Sequence, residues 1–150
     1  MELKLKDFKA FCKGMRIEKL VNPVVNQLGG WDNAQDELRG VSSCSCGAAG
    51  GFGGFIYYSE TVAFARKHRS EIVKSIEELA DDLGEGVLEM VQNFNCIKGD
   101  YTTTEIGKAL YGRYDEEYDY IYNALAWYAL EEVAYEFAEW EYELERNEED

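Results

Sequence analysis

Proline, histidine and long apolar runs are scarce in this sequence. Its 150 residues include one proline, Pro23, and one histidine, His68. No stretch of eighteen consecutive apolar residues occurs, which argues against a membrane span. The first fifteen residues mix lysines with apolar side chains and lack the apolar core of a signal peptide. With an apolar fraction of 46%, these features predict a single cytoplasmic, globular domain over residues 1–150.

Basic residues are scarce in the second half of the chain. Residues 1–75 carry 11 Lys/Arg and 8 Asp/Glu, whereas residues 76–150 carry 4 and 22, and the whole chain has a net charge of −15. Such a field repels nucleic acid and lipid head groups and attracts basic protein surfaces. The charge therefore predicts a basic protein partner, with no direct nucleic acid and no membrane. Solubility alone is the alternative explanation.

Neither proline nor glycine occurs between Tyr114 and Arg146, which predicts one long helix or two with a bend. The helix would bury Trp127, Leu130 and Phe137 with their neighbours Val133 and Ala134. The fold class is predicted to be all-α: a compact multi-helix bundle with a glycine-rich loop and a long acidic C-terminal helix.

Shorter helices are predicted before this one from apolar periodicity and end signals. Pro23 should start or kink a helix within 17–28. Asp32, Ser59 and Ser70 are expected N-caps, and Gly84 an expected helix end. The predicted helical segments are 2–15, 17–28, 31–38, 59–68, 70–83, 87–94 and 106–111, with a cap-rich lead at 102–105.

The segment from Cys44 to Gly54 suggests a metal or phosphate site. A zinc site would need two ligands beyond Cys44 and Cys46, and no second close pair of ligands exists. The glycines lack the Gly-Lys-Ser/Thr ending with which a P-loop contacts phosphate and magnesium. We therefore interpret the segment as a packing loop or hinge, with neither metal nor cofactor.

No pattern of catalytic residues stands out. His68 lies between Lys67 and Arg69 and is expected to be exposed near a helix end, where the helix dipole favours a cation. Carboxylate pairs such as Asp81-Asp82 are too common here to indicate catalysis. The sequence therefore predicts a protein that is not an enzyme.

Glutamates recur along the last predicted helix at spacings of four, three and four residues, at Glu132, Glu136, Glu139 and Glu143. The rise per residue is about 1.5 Å, so neighbouring charges would lie roughly 4.5–6 Å apart along one stripe. Duplex DNA also presents closely spaced negative charge. The stripe, with nearby Trp140, is thus a candidate partner-binding surface, if it is not simply a solvated helix face.

Two segments carry recognisable patterns, FIYYSETVAFARKHRSEI at 55–72 and NALAWYALEEVAYEF at 123–137. The first has Ile-Tyr-Tyr, an acidic residue, Thr, Phe and a basic turn, and the second has Leu-Ala-Trp-aromatic-Ala-x-Glu-Glu. These patterns resemble a family of small uncharacterised proteins of bacteriophages and other mobile elements. Together with the Cys/Gly segment before Ile56, the resemblance covers roughly half of the chain. It implies a setting in which small acidic proteins inhibit host defence, as anti-CRISPR and anti-restriction proteins do.

Three hypotheses follow. The first is a non-enzymatic inhibitor in the bacterial cytoplasm that acts as a DNA mimic, its acidic helix blocking the basic surface of a host nuclease. The second is a regulatory or scaffold protein that binds a partner through an aromatic surface around Phe52, Tyr57 and Trp140. The third, an enzyme or zinc protein that uses Cys44, Cys46 and His68, has the weakest support.

Overall fold

The computed structural model describes residues 5–43, 58–94 and 97–149, and within those ranges all regular secondary structure is helical. This confirms the all-α class. The elements are α1 (Leu5–Phe11), α2 (Glu18–Gln27), α3 (Trp31–Ser43), α4 (Tyr58–Lys67), α5 (Arg69–Leu83), α6 (Val87–Gln92), α7 (Thr103–Tyr111), a 3-10 turn (Glu116–Tyr118) and α8 (Asp119–Glu149).

The chain divides into two compact units. The first combines Met1–Ile56 with Ala129–Asp150, and the second is Tyr57–Tyr128. The first unit (unit 1) contains α1, α2, α3 and the later part of α8. The second (unit 2) contains α4 to α7, the 3-10 turn and the beginning of α8. This division does not test the expectation of a single domain over residues 1–150, which stays a prediction.

Helix α2 continues through its proline. Pro23 lies inside Glu18–Gln27, so of the two predicted outcomes a helix start is wrong, and a kink stays a prediction. A proline in a helix interior is destabilising by about 3 kcal/mol. Burial of an aliphatic side chain contributes about 1.5–3 kcal/mol, and α2 buries four. They are Leu20, Val21, Val24 and Val25. Burial of this face therefore outweighs the proline penalty.

Local end signals explain where two helices of unit 2 stop and start. Gly84 ends α5 in the left-handed conformation with φ 68°, and the Glu85 N–H donates to the Ala80 carbonyl at 2.9 Å, as in the Schellman ending. Thr102 and Glu105 form a reciprocal capping box at the start of α7. The end of α5 at Gly84 was predicted, and α7 begins inside the predicted cap-rich lead at 102–105, three residues before the predicted start at Ile106.

Three predicted N-caps are displaced. Helix α3 begins at Trp31, α4 at Tyr58 and α5 at Arg69. The predicted caps Asp32, Ser59 and Ser70 therefore lie in first turns rather than at N-caps. A carboxylate such as Asp32 still interacts favourably with the positive end of the helix dipole. The segment Cys44 to Tyr57, with the proposed packing loop and hinge, lies outside the described residues.

The long helix is confirmed, and it is buried on more than one side. Within α8 the side chains of Ile121, Leu125, Leu130 and Phe137 are fully buried, and Trp127 is half-buried. Residues on adjacent faces, such as Val133 and Ala134, are also fully buried. A helix surrounded in this way is stabilised mainly by tertiary packing, so its many aromatic residues belong to the core.

Candidate acidic interface

Two of the predicted stripe residues face solvent. Glu139 and Glu143 are exposed, while Phe137, two positions before Glu139, is fully buried. Residues two apart on a helix point to nearly opposite sides, so the core contact of Phe137 leaves Glu139 in water. These two glutamates have the exposure that a protein-binding stripe requires.

The N-terminal half of the stripe is not a free acidic surface, contrary to prediction. Glu132 and Glu136 are half-buried. The Glu132 carboxylate lies 3.5 Å from the Arg16 guanidinium, and both side chains are about four-fifths buried. Burial raises the pKa of Glu132, Arg16 opposes the shift, and the nearby charges of Glu136 and Glu131 raise it further. This carboxylate is thus neutralised within unit 1 rather than offered to a partner.

Trp140 belongs to the core of unit 1. It is 7% exposed, and its ring centre lies 5.4 Å from that of Phe8 and 5.8 Å from that of Phe137. Trp31 completes the group at 6.0 Å from Phe8 and 5.7 Å from Phe137. The prediction that Trp140 binds a partner is corrected, because its ring is enclosed by this aromatic cluster (Phe8, Trp31, Phe137, Trp140).

The outer side of α8 carries tyrosines as well as glutamates. Tyr135 and Tyr142 are 53% and 56% exposed, and they lie seven positions apart, on one side of the helix. Glu139 lies between them in sequence. Arg146 places its guanidinium 5.8 Å from the centre of the Tyr142 ring. The exposed side of α8 is therefore a mixed tyrosine–glutamate surface.

A denser acidic surface lies on α5 in unit 2. Glu77, Glu78, Asp81 and Asp82 are all exposed, and we call them the α5 acidic face. At about 1.5 Å rise per residue, the four charges lie within roughly 7.5 Å of helix axis. Their density, about one charge per 2 Å, approaches the one per 1.7 Å of duplex DNA.

The α5 acidic face destabilises its own helix. Glu77–Asp81 and Glu78–Asp82 are like-charge pairs four residues apart, each unfavourable by about 0.2–0.5 kcal/mol. Asp81 and Asp82 also lie near the negative end of the helix dipole, and the last turn of α5 has no basic residue. Helix stability does not explain why these residues are acidic.

The α5 acidic face was not predicted from the sequence, although a signal for it was present. Asp81-Asp82 by itself is only a common kind of carboxylate pair. However, Glu77–Asp81 and Glu78–Asp82 have the four-residue spacing that singled out the stripe on α8. Burial distinguishes the two sets of carboxylates. Those of the α5 acidic face are exposed to water, whereas Glu132 and Glu136 on α8 are half-buried.

His68 is more enclosed than predicted. It is half-buried at the N-cap of α5, with its ring centre 5.0 Å from that of Phe64. Burial is the main cause of its lowered pKa, Lys67 lowers it further, and Glu71 opposes the shift. His68 directly follows the last residue of α4 and is also the N-cap of α5. The C-terminal end of α4 favours a cation there, as expected from the sequence, and the N-terminal end of α5 opposes it.

The zinc hypothesis uses Cys44, Cys46 and His68, and of these Cys44 and Cys46 lie outside the described ranges. Within 5–43, 58–94 and 97–149, no group of three His, Cys, Asp or Glu side chains is placed to hold a metal ion. Cys12 is a buried thiol. Burial, followed by the nearby charges of Glu136 and Glu18, raises its pKa to about 12, so this thiol stays protonated at neutral pH.

No helix in the described part of the chain is long and apolar enough to cross a membrane. Residues 6–145 match a family described as a domain of unknown function, DUF7222. No curated protein and no solved structure matches the chain. The match leaves the phage and mobile-element setting untested, so that setting stays a prediction. Because the matched region spans nearly the whole sequence, the protein belongs to the DUF7222 family.

Proposed function

We propose that this protein is a non-enzymatic inhibitor of a host defence nuclease, of the anti-CRISPR or anti-restriction kind. In this proposal it occupies the basic nucleic-acid-binding surface of its target and blocks the access of DNA or RNA. The observation that carries the proposal is the α5 acidic face, which is denser than the exposed pair Glu139 and Glu143 on α8. The mobile-element setting rests on the resemblance of residues 55–72 and 123–137.

The local arrangement of charge supports a defined interface better than the net charge does. At physiological ionic strength the Debye length is about 8 Å, so exposed charges much farther than this from a partner contribute little. Most of the 15 excess negative charges are therefore screened from any one contact. Four exposed carboxylates within roughly 7.5 Å of helix axis act together. A surface that binds phosphates has the complementary charge.

Charge reversal tests this interface. The variant D81K/D82K changes the net charge by +4 and should unfold at the same or a higher temperature, because repulsion within α5 is relieved. E139K/E143K is the matched control, with the same change in charge on α8. Both should be assayed with the unmodified protein for inhibition of DNA cleavage by a panel of purified CRISPR and restriction nucleases.

We expect the unmodified protein to inhibit at least one nuclease and D81K/D82K to lose that inhibition, while E139K/E143K retains most of it. Inhibition should weaken steeply as salt rises. Loss only in E139K/E143K would move the interface to α8. Full inhibition by both folded variants would overturn the acidic mechanism, and failure of the unmodified protein against the whole panel would count against the inhibitor function.

The tyrosines on α8 favour a second candidate, a regulatory or scaffold protein that binds a protein partner through an aromatic surface. Trp140 is enclosed, so Tyr135 and Tyr142 take its place in this hypothesis. Aromatic side chains at the centre of an interface contribute much of its affinity. Pull-down from host lysate with Y135A/Y142A and with D81K/D82K separates the candidates. A partner lost only with the tyrosine variant favours the scaffold function.

A further inference from the structure

Unit 2 contains a cavity of about 190 Å³ lined by Arg66, Arg69, Tyr114 and Tyr122. Arg66 lies near the end of α4, and Arg69 is the first residue of α5. Tyr114 lies between α7 and the 3-10 turn, and Tyr122 lies in α8. The two arginines belong to the basic turn in the segment 55–72. They are not part of the acidic interface.

Hydrogen bonds fix one side of the cavity. The Tyr122 hydroxyl donates to the Ala109 carbonyl at 3.0 Å. Nη1 of Arg69 donates to the same carbonyl at 3.1 Å and lies 3.5 Å from the Tyr122 oxygen. These bonds use one of the guanidinium nitrogens, and a guanidinium carries five N–H donors in a planar fork. Arg69 is thus held in place with donors to spare.

Stacking positions the second arginine. The Arg66 guanidinium carbon lies 3.7 Å from the centre of the Tyr114 ring. The Tyr114 ring stacks on Tyr122 with 5.3 Å between centres, and its hydroxyl donates to Asp119 at 2.9 Å. Stacking leaves the guanidinium edge, which carries the N–H groups, available for an acceptor.

Neither arginine of the cavity is neutralised by a carboxylate within the described parts of the chain, where the ion pairs involve Arg16 and Arg39. Acidic residues outnumber basic ones two to one in the sequence, so carboxylate partners are plentiful. Arg69 is half-buried beside a carbonyl and a hydroxyl, and Arg66 lies exposed over an aromatic ring at the edge of the cavity. An anionic ligand would supply the missing negative charge.

We propose that this cavity binds a small ligand that carries a phosphate group. A phosphate monoester has a charge of about −1.5 to −2 at neutral pH, which balances two guanidinium groups, whereas a carboxylate balances only one. Planar guanidinium forks also match phosphate oxygens geometrically. A cavity of about 150 Å³ holds benzene, so 190 Å³ accommodates a phosphate with a small substituent.

Calorimetric titration of the full chain with inorganic phosphate and with phenyl phosphate, at constant ionic strength, tests the site. We expect both to bind, and R66Q to weaken binding about tenfold or more, as expected for a lost charge-assisted hydrogen bond. The matched control is K67Q, which removes the same charge from the neighbouring position without altering the lining of the cavity. It should weaken binding less than about threefold, the residual effect of a nearby surface charge.

Three results would overturn the proposal: no binding of either phosphate, equal losses in R66Q and K67Q, or benzoate binding as tightly as phenyl phosphate. The thermal unfolding of each variant shows whether it is folded. If R66Q is unfolded, R66K takes its place, because lysine keeps the charge but loses the planar fork. R66K should then bind phenyl phosphate more weakly than K67Q does, and equal affinities would also overturn the proposal.

Discussion

The cores of the two units are built from different interactions. In unit 1 the aromatic cluster of Phe8, Trp31, Phe137 and Trp140 is held by ring contacts, with centres 5.4–6.0 Å apart. In unit 2 the buried tyrosines of α8 use their hydroxyls, and the Tyr128 and Ser75 oxygens lie 3.0 Å apart. Ring packing tolerates small shifts in position, whereas a buried hydroxyl needs a partner at a defined distance.

The two units also differ in how they use the aromatic residues of α8. Tyr122 and Tyr128 contribute both apolar area and a hydrogen bond to unit 2. Phe137 and Trp140 contribute apolar area and ring contacts to unit 1. The same helix therefore specifies one core mainly by shape and the other by shape together with hydrogen bonding. The following variants, in order of decreasing expected effect, can break or sharpen this comparison.

The largest effect is expected for Phe137→Ala. Phe137 is fully buried and contacts the other three rings of the aromatic cluster. Removal of its ring leaves a cavity and should lower the free energy of unfolding by about 3–5 kcal/mol. Chemical denaturation measures this change, and a loss below about 1 kcal/mol would show that the ring packing in unit 1 has been misjudged. Tyr142→Ala on the exposed side is the control.

Tyr128→Phe tests the hydrogen-bonded core. The change leaves the buried Ser75 hydroxyl without its tyrosine partner and should lower the free energy of unfolding by about 1–3 kcal/mol. Replacement of both partners, in S75A/Y128F, should be less destabilising than the sum of the single changes, because no unpaired hydroxyl is left behind. Additive losses in this double-mutant cycle would mean that the hydroxyl pair does not specify the core of unit 2.

A smaller effect is expected for the ion pair between Arg39 and Glu141 in unit 1. The guanidinium donates to both carboxylate oxygens: Nη2 lies 2.6 Å from Oε2, and Nε lies 3.0 Å from Oε2 and 3.1 Å from Oε1. Arg39 is partly exposed, so Glu141→Gln should lower the free energy of unfolding by about 0.2–1 kcal/mol. The loss should shrink in concentrated salt. A salt-independent loss of several kcal/mol would indicate a structural role beyond charge.

The smallest effect concerns Glu131. Burial raises its pKa above the ordinary 4.5, so the folded state favours the protonated carboxyl. As pH rises from the unfolded pKa through the folded one, ionisation of this half-buried group lowers stability. Glu131→Gln should therefore be slightly more stable than the unmodified protein at pH 7 and equal to it below about pH 4.

Denaturation at the two pH values measures the effect of Glu131→Gln, with the exposed Glu139→Gln as the control. A gain in stability from E131Q that is the same at both pH values would show that ionisation is not its cause. A loss at pH 7 would contradict the direction of the pKa shift.

Periodicity and end signals were sufficient for much of the fold. The absence of proline and glycine after Tyr114 predicted α8, and Thr102, Glu105 and Gly84 predicted ends that the structure contains. Pro23 does not start a new helix, because the destabilisation by a proline inside α2 is smaller than the stabilisation from burying the apolar face of that helix. The predicted caps Asp32, Ser59 and Ser70 each lie one residue inside their helices, because capping residues locate a helix end only to within one or two residues.

The candidate interface was predicted less well. The sequence determined that carboxylates and tyrosines are abundant in the second half and that several recur at helical spacing. Only the tertiary structure decided which of them meet water. Helical spacing sets the angles between side chains on one helix, but exposure depends on what the rest of the chain places against each side. In unit 1, Arg16 lies against Glu132, and the other rings of the aromatic cluster enclose Trp140. The α5 acidic face in unit 2 remains exposed to solvent.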